Sequence, residues 1–534
     1  MFISYLIKTS NLPFRRCFCF NFVLQLKQCD LGKRVIIIGS GAGGLASAIL
    51  LAKKGFEVTV LEKNSTFGGR GSVFSAEGFQ FDMGPSWYLM PDIFEHYFDL
   101  IGEDIKDHLT LKRLDPSYKI WFGEQKEPVS MTSDLERDSV VFESYEPGVM
   151  KKIKIYLQEA AAKYNVSKNT FIYKPFDTVF DFIDRKTIFL WTKFSVISSF
   201  HKHIAHYVKH PILRKILQYP LVFLGTSPYK APAVYSLMNH IDFKMGVHYP
   251  MGGMTKVFEA LYRIAQNNGV KFCFDTPVEK ILVKDKVVTG VKTTQGQDYT
   301  ADIVISNADY HHTEMHLLEK PNRQFSKRYW DSRSVAPSGF ILYLGLKKQY
   351  DTLVHHNLYF TDKWKESFEA IFDHTELPEN PSYYVCAPSK TDPAVAPEGH
   401  ENLFVLVPTS TGLNLDEQTI SAYRNKILSH MRETMDLPGL EQNIVYERIF
   451  TGQDFASMYN AFKGTALGLA QNLMQTALFR PKTKSTKVTN LYYVGANTNP
   501  GIGVPMCLIS AQIVYKRIHG IKHGQPLSAN DTNF

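Results

Sequence analysis

Four apolar positions in a row, 35–38 (VIII), open the patterned part of the chain. A β-branched run with no polar break is what a parallel strand covered on both faces requires. Gly39-Ser40-Gly41-Ala42-Gly43-Gly44 follows, then a good helix former over 45–54 that Gly55 ends as a glycine just past a helix does. Positions 56–61 return to a strand pattern, and Glu62 ends it. The pattern predicts one βαβ unit carrying the G-x-G-x-x-G spacing of a dinucleotide site.

Further along, 109–141 mixes short strands with turns, and 147–207 is helical in pattern, with 150–162 one helix. Residues 187–200 (TIFLWTKFSVISSF) are apolar and aromatic between two lysines, too short to span a bilayer but suited to lying in its interface plane or packing in the fold. His203, His206 and His210 have the spacing of one helical face, without an acid or thiol beside them to complete a metal site. A helix is expected over 255–266, a strand at 270–274, a hairpin from 278–282 and 287–293, and a buried strand over 301–306. Strands at 339–346, 383–387 and 403–408 and a helix over 415–435 follow. The last strand ends at Val494, and a Gly/Pro-rich turn leads to a helix over 507–518.

Composition narrows the picture. The 534 residues allow two or three domains around a large core. The aromatic share of 13% suits an apolar ligand as well as a large core. The net charge of +8 is dispersed, with no basic run or recognised nucleic-acid motif, so a nucleic-acid partner is excluded and an anionic membrane surface is compatible. No uninterrupted apolar stretch is long enough to cross a bilayer, which predicts a cytoplasmic protein, soluble or peripheral on a membrane. Cys17, Cys19 and Cys29 lie in the first thirty residues, while Cys273, Cys386 and Cys507 are isolated; neither a disulfide framework nor metal-ligand spacing is visible, so a reducing compartment and no metal are expected. Residues 1–32 read as a disordered extension or as a start placed upstream of the native one.

Each part of the fingerprint has a physical task. Gly39 permits the tight turn, Gly41 lets backbone approach a pyrophosphate, Gly44 lets helix and strand pack closely, and the helix N-terminus offers free N–H groups to phosphates. Glu62 stands where an acid accepts from ribose hydroxyls. Gly68-Gly69-Arg70 follows, with a cation placed to lie over a pyrophosphate, and then Gly78, Phe79, Phe81, Asp82, Gly84, Pro85 and Ser86 in the run GFQFDMGPS.

Extended through Trp87, Tyr88, Leu89, Met90, Pro91 and Asp92, this segment resembles the FAD domain of the amine-oxidase-like flavoproteins, and within them the bacterial and fungal carotenoid desaturases. The match resumes at Leu224-Gly225, over 235–239, over 249–309, over 389–399 and from 461 to 473. It ends in Gly495-Ala496-Asn497-Thr498-Asn499-Pro500-Gly501-Ile502-Gly503-Val504-Pro505, which faces the flavin in relatives. The resemblance implies an α/β fold: a Rossmann-type, glutathione-reductase-like FAD domain, a mixed-sheet substrate domain and a helical membrane-facing subregion. Residues 33–108, 241–312 and 483–522 would bind FAD, 109–240 and 313–482 would hold substrate, and 523–534 would form a tail. Expected at the cofactor are Gly39, Ser40, Gly41, Ala42, Gly43, Gly44, Glu62, Lys63, Gly69, Arg70, Gly84, Pro85, Ser86, Val278 (through its backbone, to the adenine), Gly495, Ala496, Gly503, Val504 and Pro505. Asn499 replaces a histidine that many relatives carry, and an amide cannot titrate near neutral pH.

The implied activity is FAD-dependent desaturation of phytoene towards lycopene, with quinone or oxygen as electron acceptor. No catalytic base is identified; Asp309 and Lys463 are the positions considered. The alternatives are a retinol saturase, a later carotenoid desaturase, or a non-catalytic lipid escort of the Rab GDI type.

Overall fold

The computed structural model describes residues 32–176 and 198–534. The expected extension, up to residue 31, and positions 187–197 of the apolar stretch lie outside the described residues.

Strand Arg34–Ile38 is the centre of a five-stranded sheet. It pairs in parallel with Glu57–Leu61 on one side and Ile303–Ser306 on the other. Lys271–Cys273 extends the sheet at one edge and Leu491–Tyr493 at the other, again in parallel. An all-parallel sheet must be covered on both faces, which is why Val35, Ile37, Val60 and Ile305 are all fully buried. The crossover helix Ala42–Lys53 is buried from Ala42 to Leu51 and packs between helices Thr255–Asn267 and Val504–His519.

Two glycines make the first turn fit. Gly39 has φ of +95°, a conformation that costs an L side chain dearly. At Gly44 a Cβ would lie 2.1 Å from the Gly39 carbonyl oxygen, so only a bare backbone lets the helix begin there.

The second large element is a seven-stranded mixed sheet in the order Ile444–Phe450, Ser338–Leu346, Glu401–Thr409, Tyr383–Cys386, His356–Phe360, Tyr118–Phe122, Gln125–Met131. Every residue of Ser338–Leu346 is buried. Sequence reasoning placed Tyr118–Phe122 among loose short strands; it pairs in parallel with His356–Phe360, more than two hundred residues on, and so joins the two halves of the substrate region. Strands Val278–Lys284, Val287–Thr293 and Asp298–Thr300 form a separate antiparallel sheet.

One expectation is corrected. Helix Phe200–Ala205 stops before His206, and His210 caps the next helix, Pro211–Gln218, with Pro211 at its start. His203, His206 and His210 therefore share no helical face. A 3₁₀ turn at Ala233–Ser236 continues through α-helix Leu237–His240 into a π-turn at Ile241–Met245.

Replacing Gly44 with Val places a side chain inside the Gly39 carbonyl. The expected outcome is a loss of at least about 3 kcal/mol, beyond ordinary overpacking. Urea unfolding of G44V against wild type checks it; coincident midpoints would contradict the packing described.

Candidate active site

The carboxyl ends of the parallel strands point at a cavity of about 720 Å³. This is where open α/β sheets hold ligands. All the positions expected to hold the cofactor line it except Ser40 and Gly44. Those two stand behind the wall. Ser40 holds Glu62, and Gly44 packs on Gly39.

Glu62 is 5% exposed, and its carboxylate is fully engaged. Ser40 donates to Oε2 from both N and Oγ at 2.8 Å, and Asn64 donates to Oε1 from both N and Nδ2 at 3.0 Å. Four donors take up the acceptor positions of the carboxylate and fix the acid at the edge of the cavity.

Arg70 sits on the 3₁₀ turn Gly69–Gly71, which left-handed Gly68 introduces. The guanidinium is poorly satisfied. Nη2 reaches the Thr465 carbonyl at 3.4 Å, the ring of Tyr459 lies 5.6 Å away, and the buried Nε has no hydrogen-bond partner among the described residues. Burial pulls its pKa down, and Asp309 works against that. A half-buried cation with an orphaned donor is costly unless an anion joins it. A diphosphate between Arg70 and the amides that begin Ala42–Lys53 fits both the charge and the donors.

Asn307 was not among the expected site residues. It follows strand Ile303–Ser306, and a Cβ on Gly41, Gly43 or Gly495 would come within 3 Å of its amide. Its Nδ2 donates to the Gly39 carbonyl at 3.4 Å. The signal was its position just past a buried parallel strand beside a glycine loop. Arg480 was also missed. It is 2% exposed and donates to the carbonyls of Thr498, Gln475, Leu469 and Ala496, so it ties the turn after Val494 to the 469–475 segment. Burial pushes its pKa down to about 10. Nothing near it in sequence announces this, because its partners are backbone.

The last helix starts at Gly503 with Pro505 in its first turn, and runs Val504–His519 rather than from residue 507. Asn499 is 5% exposed in the cavity wall, and its Oδ1 has no partner among the described residues.

Beyond Ser86 and Asn499 the lining changes to Leu358, Phe360, Trp364, Phe368 and Phe372. Few polar groups interrupt it. Lys163, pushed down to about 8 by burial, donates to Ser236 Oγ at 2.9 Å, and Tyr235 donates to Gln471 Oε1 at 3.2 Å.

The two positions considered for proton removal separate. Asp309 lines the cavity, but His312 N donates to its Oδ1 at 3.1 Å and Asn497 to its Oδ2 at 3.0 Å; it stands beside Arg70, at the phosphate end. Lys463 is not in the cavity wall; its ammonium lies over Phe462 at 5.1 Å.

The family described as flavin containing amine oxidoreductase matches residues 42–518. A carotenoid 3,4-desaturase of Haloarcula japonica is 42% identical over 90% of this chain and 97% of its own length. A zeta-carotene-forming phytoene desaturase of Myxococcus xanthus is 36% identical over 93% of this chain and 96% of its own. Among solved structures, wild-type putrescine oxidase bound to putrescine superposes with a TM-score of 0.61 at 15% identity, covering 92% of this chain and 99% of that one, a likeness of fold.

Two substitutions test the phosphate end. Gly41→Leu crowds the Asn307 amide and the approach to a diphosphate, and Arg70→Met removes the cation but keeps its bulk. Each is expected to weaken flavin retention at least about tenfold, roughly 1.4 kcal/mol. The ratio of flavin to protein absorbance after gel filtration is the measurement; wild-type ratios in both variants would overturn the assignment.

Proposed function

We propose, for a chain that belongs to the flavin-containing amine oxidoreductases and within them to the carotenoid desaturases, that its substrate is phytoene, desaturated stepwise towards lycopene. The protein is an FAD-dependent oxidoreductase acting on CH–CH bonds of a polyisoprenoid, which removes the non-catalytic escort reading.

The observation that carries the proposal is the join between the two parts of the cavity. The glycine loop, Glu62 and Arg70 bound one part, aromatic and aliphatic side chains bound the other, and no wall divides them. FAD, when bound, supplies the acceptor for a hydride from one C–H bond while the adjacent C–H gives up a proton and a C=C bond forms. The protein's own share is to hold and orient. A hydrocarbon offers no charge and no hydrogen bond, so recognition comes from burial, about 0.8 kcal/mol per CH₂. Phe360, Trp364 and Phe368 supply that surface and exclude water. Ser86 and Asn499 are polar members of the same wall, and we assign the presentation of the reacting carbons to their neighbourhood.

A second reading has its own support. The 42% identity to a protein named carotenoid 3,4-desaturase favours a later carotenoid, already desaturated along its centre, as substrate. Expression in one host that accumulates phytoene and another that accumulates lycopene separates the two. Red pigment in the first supports phytoene desaturation. A red-shifted product in the second, with phytoene unchanged in the first, supports the 3,4 reading and overturns the proposal.

The membrane and the acceptor, quinone or oxygen, complete the reading. No helix among the described residues is long and apolar enough to cross a membrane. Leu473, Met474 and Phe479 are exposed by 39%, 62% and 52%, and Leu473 and Phe479 also line the cavity. An apolar rim at the cavity mouth suits a substrate dissolved in lipid. Met474→Glu with Phe479→Glu is expected to reduce co-sedimentation with anionic liposomes by about tenfold, as burial of apolar side chains in the interface predicts. Unchanged co-sedimentation would move the membrane contact elsewhere.

A further inference from the structure

Behind the cavity wall, His355, His356 and Cys386 come together. One ring nitrogen of each histidine and the Cys386 sulfur lie within 4.8 Å of one another, and all three residues are buried. Strand pairing produces the cluster: His356 stands directly opposite Cys386 across two antiparallel strands, and His355 is its chain neighbour.

Both imidazoles are half satisfied. His355 Nδ1 meets Thr391 Oγ1 at 2.7 Å, and His356 Nδ1 meets the Tyr384 hydroxyl oxygen at 2.7 Å. Tyr384 also donates to Ser86 Oγ at 3.0 Å, and the tautomer with hydrogen on His356 Nδ1 makes that ring the donor to the Tyr384 oxygen. The Nε2 atoms of both rings are buried without a hydrogen-bond partner. His355 is 4% exposed and His356 is not exposed. An oriented Nδ1–H bond with a lone pair left on Nε2 is the arrangement of metal-ligating histidines. Burial pulls both imidazoles well down, which keeps them neutral as a ligand must be, and pushes the Cys386 thiol up to about 12. A second space, about 20 Å³ and lined by Cys386, Tyr249 and Asp82 but by neither histidine, adjoins the sulfur. The Tyr249 hydroxyl is also buried without a partner.

We propose that His355, His356 and Cys386 form a binding site for a single copper(I) ion. The donor set of two imidazoles and one thiolate is soft. Its charge decides the oxidation state. Copper(I) with one thiolate and two neutral imidazoles is neutral overall, whereas zinc(II) would leave a net positive charge in a buried site. Asp82 lies outside the ligand set: its two oxygens accept from the amides of Met254 and Thr255 at 2.7 and 3.0 Å, and burial pushes its pKa up to about 6. On binding, the S–H bond breaks, a copper–sulfur bond forms, and the proton passes to solvent. Through Tyr384 and Ser86 the site touches the wall of the large cavity, and Trp87, also in that wall, stacks on His356 at 4.1 Å.

The test is anaerobic competition with a chromophoric copper(I) chelator, using full-length flavin-loaded protein. Wild type is expected to withhold about one more equivalent of copper(I) than Cys386→Ser, a difference that subtracts whatever the other thiols bind. His355→Gln is expected to lose the same equivalent. Flavin absorbance reports whether each variant is folded. Equal copper in wild type and either folded variant would overturn the proposal, as would zinc(II) retention with this residue dependence in place of copper(I). Should both variants lose flavin, X-ray absorption of copper-loaded wild type decides. Mixed nitrogen and sulfur neighbours support the site, and a sulfur-only shell refutes it.

Discussion

The whole arrangement depends on how closely backbone is allowed to approach backbone around Asn307. Three segments meet there: the 39–44 turn, the end of strand Ile303–Ser306, and the turn after Val494. At Gly41, Gly43 and Gly495 the space a Cβ would need is already held by the Asn307 amide, and at Gly44 by the Gly39 carbonyl. With side chains absent, the helix Ala42–Lys53 starts against the sheet with its free amides turned to the cavity. The parallel order of the sheet, the position of the last helix and the mouth of the phosphate end all follow from that approach.

Two arginines, Arg480 buried and Arg70 half-buried, show how differently one residue type is used. Arg480 donates to four carbonyls, so its burial is compensated within the protein and it acts as a tie. Arg70 has one long bond and an idle Nε, so its burial is not compensated until something anionic arrives. The first arginine secures the C-terminal wall of the site. The second makes that site attractive to a diphosphate. Asp309 beside Arg70 moderates the charge and, with both oxygens accepting, is suited to this better than to taking a proton from a hydrocarbon.

What could be read from the sequence was local. The βαβ unit, the acid after its second strand and the Gly-Gly-Arg turn carry their chemistry within a few residues, so spacing located them, while the C-terminal glycine turn was placed by resemblance to related flavoproteins. Relations between distant strands were not readable. Tyr118–Phe122, with its hairpin partner Gln125–Met131, joins a sheet whose other five strands lie more than two hundred residues on. Cys386 seemed isolated because metal sites are sought by short ligand spacing, while its histidines reach it across a strand pair. The spacing of His203, His206 and His210 misled for the opposite reason: local periodicity is informative only where one helix spans it, and Pro211 begins a new one.

The division of polarity within the cavity follows from the two ligands it must serve. A dinucleotide carries charge and hydroxyls, so the groups that meet it are fixed donors and acceptors: backbone amides, Glu62, Arg70. A polyene carries neither, and any unpaired polar group along its path would cost more than it returned. Lys163 and Tyr235, two of the polar side chains in the lining, are each bonded to a neighbour. Discrimination between one polyene and another then rests on length and stiffness. As each desaturation adds a conjugated bond, the chain loses torsional freedom, so on the proposed reading the stiffer product meets the aromatic wall of Phe360, Trp364, Phe368 and Phe372 differently from the flexible substrate.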